Sequence, residues 1–382
     1  MTLVAIGTLF ALRPVPFSRP LGRSSYYFGL AANELPFAAF FWMLLLPTAL
    51  AFADGDIDSV GGWAAVGLAA VTAIGLAVIA YRALGERPRI ERAMTEGLGA
   101  GWRTAIDADL SVGLRRRPPL ARILFMPILK RRLDVRRVAN LAYGDAGRRR
   151  NLLDLYHHRS RPSGAPVMIH LHGGTYSGGH KNSQSLPLLY HLAGQGWVCI
   201  SANYRLRPEV QHPDHLIDLK KIIAWVREHA HEYGADPSTL FVAGSSAGGH
   251  MAALAALTQN DSAFQPGFED ADTSVTGAIY LNGWYGTYFG QGPESSPLAH
   301  IAPDAPPFLV AHGDLDPQVP AADARHFADR LRQTSANPVV YAELRGGNHA
   351  FDLYHSVRFE AVIDAIEAFA AWVRSRERTP KP

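Results

Sequence analysis

One cysteine stands in the whole chain of 382 residues, so no intrachain disulfide framework holds this protein together. That residue, Cys199, lies in the apolar run Trp197 to Ala202, where a buried structural thiol is expected rather than a reactive one. A lone cysteine also suits a reducing compartment. Excess charge of one sign is lacking as well. With 37 Lys and Arg against 34 Asp and Glu, the net charge of +3 gives no reason to expect a nucleic-acid partner. Internal repeats and low-complexity tracts are absent. The histidines His170, His180, His191, His212, His215 and His250 share no recurrent metal-ligand spacing, so no metal is expected.

What the chain does have is apolar material, 48 % of its residues, concentrated at the start. Leu35 to Ala53 carries no charge over nineteen residues, and neither does Trp63 to Tyr81. Each approaches the roughly 20 residues that cross a bilayer as a helix. Core helices of this length carry a polar face, and these do not. Arg13, Arg19 and Arg23 precede the first run, Asp54, Asp56 and Asp58 lie between the runs, and Arg82, Arg87, Arg89 and Arg92 follow. The positive-inside rule then sets both ends in the cytoplasm and a short acidic loop outside. Ala51-Phe52-Ala53 resembles a signal cleavage site, but the apolar run exceeds a usual signal and a second run follows. Residues 1–96 are thus expected to form a multi-pass membrane region in the cell membrane.

Residues 115–150 are strongly basic, with apolar Leu120, Ile123, Leu124, Phe125, Ile128, Leu129 and Leu133 interleaved. Two readings stay open for the connector at 97–138. It is a lipid-facing amphipathic segment, or a solvated face packed on the next domain.

After Asn140 the pattern changes. Apolar strand-like runs at 152–157, 167–171, 197–203, 240–244, 275–281, 308–311 and 339–344 alternate with helical periodicity at 215–233, 247–257, 321–333 and 359–374. Such alternation predicts an α/β fold, a mostly parallel sheet flanked by helices, over residues 139–376, with a tail at 377–382. Chemistry in such sheets gathers at the carboxyl ends of the strands.

One strand–turn–helix carries Gly244-Ser245-Ser246-Ala247-Gly248, a G-x-S-x-G pattern in which only small neighbours fit around a strained serine. A serine hydroxyl needs a base to take its proton and a carboxylate to orient that base. His349 follows one strand, and Asp314 and Asp316 follow another, so either acid is a candidate. Negative charge developing on the substrate oxygen needs fixed N–H donors. His172-Gly173-Gly174 lies after a strand and suits that task, with the N–H of Ala247 as a further donor.

These landmarks, with Asn203-Tyr204-Arg205, His312-Gly313-Asp314-Leu315-Asp316 and Asn348-His349-Ala350-Phe351, resemble the α/β-hydrolase fold and its hormone-sensitive-lipase-like esterases. With two apolar runs in front, the whole chain is similar to membrane-anchored bacterial carboxylesterases of the Lip type. The resemblance implies Ser246 as nucleophile, His349 as base then acid, and Asp316, by its spacing before Val319-Pro320, as orienter. It further implies an oxyanion hole from Gly173, Gly174 and Ala247, no cofactor, and a small-molecule or lipid ester as substrate. Segments before the sheet often cap the site in that family, a role open to residues 97–138. Thr175 replaces the third glycine of the usual loop, and Tyr176 follows it. That variant also resembles kynurenine-formamidase-like enzymes, so formamide hydrolysis is an alternative, as is a hydrolase-fold scaffold without activity. Tyr176, Tyr204, Trp284 and Tyr285 lie near strand ends and are candidates for the substrate pocket.

Overall fold

Small and apolar residues shape the first hundred positions. The computed structural model describes residues 1–115, 117–144, 149–161 and 163–378. Arg116, Asp145 and Arg148 of the basic run and residues 379–382 of the expected tail lie outside the described residues. The chain opens with a helical hairpin, α1 (Thr2–Leu12) and α2 (Gly22–Glu34). The helices approach closely at glycines. A Cβ on Gly7 would stand 3.0 Å from the Phe28 carbonyl oxygen, and one on Gly29 3.1 Å from the backbone of Phe10.

The first long apolar run forms a helix, α3 (Pro36–Ala53), wound in its middle, Ala39–Leu45, with π-type hydrogen bonds. Pro47 lies just beyond that stretch and has no N–H to return to the preceding turn, a known cause of such widening. The second run is α4 (Val60–Leu84), whose first turn is capped by Ser59 accepting from the Gly62 N–H. Both helices are long and apolar enough to cross a bilayer, and most of their surface is not covered by protein.

After a break at Gly85 the chain continues as α5 (Glu86–Leu98). Ile90, Ala93 and Met94 of α5 are buried in the body of the protein, and a Cβ on Gly97 would sit 2.8 Å from the Val339 carbonyl oxygen. The expected membrane region, drawn to residue 96, includes α5, which packs on the sheet. A short helix, α6 (Leu120–Phe125), interrupts the basic connector. Arg115 pairs with Glu360 and Asp364, and Arg137 with Asp154, whereas Phe125, Ile128, Leu129 and Leu133 stay exposed.

The expected boundary at 138/139 cuts through a strand, β1 (Val135–Ala142). It is an edge strand with Arg136 and Arg137 outward and Val135 inward, so its basic composition hid it. There follow β2 (Leu152–His158), β3 (Ala165–Leu171), α7 (Leu186–Gly194), β4 (Val198–Ala202) and α8 (Asp214–His229). Then come β5 (Ala235–Ser245), α9 (Ala247–Leu257), β6 (Gly277–Leu281), β7 (Phe308–Gly313), α10 (Ala321–Thr334), β8 (Val339–Leu344) and α11 (Val357–Arg378). The helix α7 has no polar face to mark it, being buried almost all round.

The strands form one sheet in the order β1-β2-β4-β3-β5-β6-β7-β8. The pairs β1/β2 and β2/β4 run antiparallel, and all later neighbours run parallel. Strands β3 and β4 are all buried, as a sheet covered on both faces requires. Side chains of α8, α9 and α10 pack one face, and those of α5, α7 and α11 the other. Because β3, β5, β7 and β8 are parallel, residues 172–174, 246, 314–316 and 345–349 all emerge at one edge.

Candidate active site

At the end of β5 the chain reverses so sharply that Ser246 takes φ 55° and ψ −119°, a backbone state that L-residues avoid. The turn survives because its flanks have no side chains. A Cβ on Gly244 would lie 2.1 Å from the Gly248 carbonyl oxygen, and one on Gly248 2.2 Å from that of Leu171. Helix α9 starts at Ala247, so its unsatisfied N–H groups and positive dipole end face the ground around the serine.

The Ser246 hydroxyl donates to Nε2 of His349 over 3.0 Å, and Nδ1 of His349 donates to Oδ2 of Asp316 over 2.6 Å. Asp316 is itself held, its Oδ1 accepting from the N–H groups of Gln318 and Val319 at 2.8 and 2.9 Å. Burial works to raise its carboxyl, but the imidazole of His349, that of His312 and the Val319 N–H outweigh it and hold the acid below its ordinary value. Asp314 spends its carboxylate on the Gly346 N–H at 2.6 Å. Of the two candidate acids, Asp316 is the one joined to the base.

The glycine loop differs from expectation. The Gly173 N–H donates to Oε1 of Gln184 at 2.5 Å and is taken. Among the described residues, the N–H groups of Gly174, Thr175 and Ala247 have no protein acceptor. Gly173 still has to be glycine, since a Cβ there would stand 2.7 Å from the Ser246 Cβ. Thr175 takes φ 54° and lines the pocket, a place that its position after two glycines could have signalled.

Ser246 opens into a cavity of about 520 Å³ lined chiefly by apolar and aromatic groups, among them Phe17, Tyr176, Trp284, Tyr288, Phe289 and Val319. Of the four candidate pocket residues, Tyr176 and Trp284 line this cavity. Tyr204 and Tyr285 do not: both are buried beneath the site, Tyr204 donating to the His172 carbonyl oxygen at 2.9 Å and Tyr285 bonding to Nδ1 of His312 at 3.1 Å. Among the described residues, none of 97–138 lines the cavity. Phe17 and Ser18, between α1 and α2, supply the covering edge instead, fastened by the Phe17 N–H donating to the Pro317 carbonyl oxygen at 2.9 Å. The Tyr26 ring stands 6.3 Å from that of His349. Tyr176 bonds to Nδ1 of His250, whose Nε2 bonds to the Gly286 carbonyl oxygen at 3.1 Å. Burial pushes His250 down to about 3, so it stays neutral while it supports the pocket wall.

The BD-FAE family matches residues 153–287, the stretch from β2 past the serine turn. Over nearly the whole chain the protein is similar to the probable carboxylic ester hydrolase LipM of Mycobacterium tuberculosis. The two are 37 % identical, the match covering 97 % of this chain and 91 % of that protein. The chain belongs to the hormone-sensitive-lipase-like carboxylesterases. Esterase LipQ of the same organism is 38 % identical over 62 % of this chain and 63 % of its own length. Among solved structures, the propionate-bound esterase 2 of Thermogutta terrifontis is 27 % identical with a TM-score of 0.50, covering 56 % of this chain and 84 % of that one. A truncated carbohydrate esterase from gut microbiota, at 20 % identity and a TM-score of 0.52, shares the fold, covering 61 % of this chain and 96 % of that one. This esterase is a carboxylic ester hydrolase, and its neighbours give no support to the formamidase alternative.

Proposed function

We propose that the esterase is a membrane-anchored serine enzyme that cleaves short- to medium-chain carboxylic esters through an acyl-enzyme. The observation that carries this is the unbroken line Ser246–His349–Asp316, 3.0 and 2.6 Å long, opening into an apolar cavity. As the Ser246 oxygen bonds to the ester carbonyl carbon, its proton passes to Nε2 of His349, and Asp316 stabilises the imidazolium that results. The oxyanion meets the N–H groups of Gly174, Thr175 and Ala247 at the start of α9. Breakdown expels the alcohol, protonated by His349. Water then loses a proton to His349, attacks the acyl-enzyme and releases the acid. A cavity of about 520 Å³ with aromatic walls suits an acyl chain of modest length.

The anchor is α3 and α4. Their apolar length, their uncovered surface and the flanking arginines support two crossings with both ends and the catalytic body in the cytoplasm. Phe125, in α6, lines one apolar hollow with Phe41, Trp42 and Leu45 of α3, which suits contact of the connector with the lipid interface. Full-length enzyme with Ser246→Ala is expected to lose p-nitrophenyl butyrate turnover and labelling by a fluorophosphonate; retained turnover would overturn the serine mechanism. A reporter fused at the C-terminus is expected to read cytoplasmic, and a periplasmic signal would reverse the topology.

A further inference from the structure

The base of the reaction rides on a loop, Arg345-Gly346-Gly347-Asn348-His349, with no helix or strand of its own. Two side chains from the N-terminal region seize its backbone. The Arg345 N–H donates to Oε1 of Glu86 at 2.9 Å, and the Asn33 side-chain amide donates to the Gly346 carbonyl oxygen at 2.8 Å. Their places in the chain are telling. Asn33 closes α2, three residues before Pro36 opens the first apolar helix. Glu86 opens α5, two residues after Leu84 ends the second. Arg82, in the last turn of α4, also lies on the loop, its Cδ 3.0 Å from where a Cβ on Gly346 would stand.

A second layer locks these contacts. Glu34, beside Asn33, pairs with Arg358 and accepts from the Ser356 hydroxyl at 2.7 Å. Arg358 reaches the Arg345 carbonyl oxygen at 3.3 Å. Asn33, Glu34, Glu86, Ser356 and Arg358 are all within 2 % of complete burial. A passive tether has no need to bury such groups, since polar side chains taken from water without good partners destabilise a fold. Asn33, Glu86 and Arg358 find backbone partners on Arg345 and Gly346, just before the base, and Glu34 and Ser356 brace them.

We infer that the inner ends of both apolar helices clamp the His349 loop, making Asn33 and Glu86 positioning residues for the base and the anchor a working part of the site. The inference rests on the reading of Ser246 and His349 as the reacting pair and of α3 and α4 as the anchor. A base displaced by about 1 Å loses on the order of a hundredfold in rate while leaving the binding cavity in place.

The test uses the full-length enzyme in detergent and in lipid nanodiscs, with p-nitrophenyl butyrate as substrate. Asn33→Ala and Glu86→Ala are each expected to lower kcat by about ten- to a hundredfold with KM changed less than about twofold. Glu86→Gln keeps an acceptor for the Arg345 N–H and is expected to recover most of that kcat, a rescue that a general loss of folding would not give. Glu91→Ala, on the same helix as Glu86, breaks only the exposed pair with Arg103 and serves as the unchanged control. If Glu86→Ala yields no folded protein, Asn33→Ala decides by the same kcat-against-KM split. Wild-type kcat in Asn33→Ala and Glu86→Ala, or a loss that falls on KM alone, overturns the clamp. Turnover surviving in Ser246→Ala overturns the catalytic reading instead, so the two failures are distinct.

Discussion

His312 holds its Nε2 3.4 Å from Oδ2 of Asp316, the same oxygen that takes the Nδ1–H of His349. That imidazole is fixed from both sides, by the Val319 carbonyl oxygen at 3.0 Å and the Tyr285 hydroxyl at 3.1 Å. The acid is therefore gripped by a histidine on each flank. Asp316→Asn keeps the shape but leaves His349 without its anionic partner, and kcat is expected to fall by about 10⁴-fold. Asp314→Asn keeps an acceptor for the Gly346 N–H and should lose less than about tenfold, the small cost of weakening one charge-assisted bond. Equal losses in the two variants would show the acid to be misassigned.

The loop before the serine gives a steric prediction. A methyl on Gly173 meets the Ser246 Cβ at 2.7 Å and the Ser245 carbonyl oxygen at 2.9 Å, both parts of the strained turn. Gly173→Ala must push the nucleophile or the Gly174–Thr175 donors out of line. Turnover and fluorophosphonate labelling are both expected to drop by roughly a hundredfold or more, the scale of losing an oxyanion donor. Unchanged turnover and labelling would show that the loop takes the methyl without moving the turn.

Much of the site could be read along the chain because each part is local: a serine between glycines, a histidine and an aspartate after apolar strands, a glycine pair after another. Asp314 and Asp316 were separable only through the resemblance, since both follow the same strand and only folding shows which one meets His349. Tyr204 and Tyr285 look like pocket residues in one dimension, yet their hydroxyls serve the His172 carbonyl and His312 below it. The N-terminal contributions were hidden for a different reason. Asn33 and Glu86 flank the apolar runs with no motif around them, and their partners lie 313 and 259 residues away. Strand β1 was lost among arginines, and α7 had no polar stripe to give it a period.

The cavity walls separate specificity from stability. Trp284 and Phe289 line the space beside Ser246, so Trp284→Ala should shift the optimum toward longer acyl chains in a p-nitrophenyl ester series. Tyr204→Phe removes only the bond to the His172 carbonyl, and is expected to leave the acyl profile unchanged while costing about 1 kcal/mol of stability. A changed acyl profile in Tyr204→Phe would return that tyrosine to the pocket.

Four buried histidines set the acid limit of the fold. Burial first of all pushes His170 down to about 4, and His172, His215 and His250 each to about 3, so all four are neutral in the native protein near pH 5. Among the described residues, neither ring nitrogen of His215 has a hydrogen-bond partner to support a charge. In the unfolded chain the same groups titrate near about 6.5. A depressed folded value gives stability that is complete above the unfolded value and drains away as pH falls toward the folded one. Between pH 6.5 and 4 the unfolded chain thus holds up to four more protons from these residues, each worth about 1.4 kcal/mol per pH unit. Four together approach roughly 5 kcal/mol per unit, comparable with the whole stability of an ordinary domain. The inactivation temperature of the full-length enzyme in detergent should be flat from pH 7 to 8 and fall steeply below pH 6. His250→Gln, whose amide can still serve both Tyr176 and the Gly286 carbonyl, should lose about a quarter of that slope. A native enzyme as stable at pH 5 as at pH 7 would mean that these histidines take up protons without unfolding.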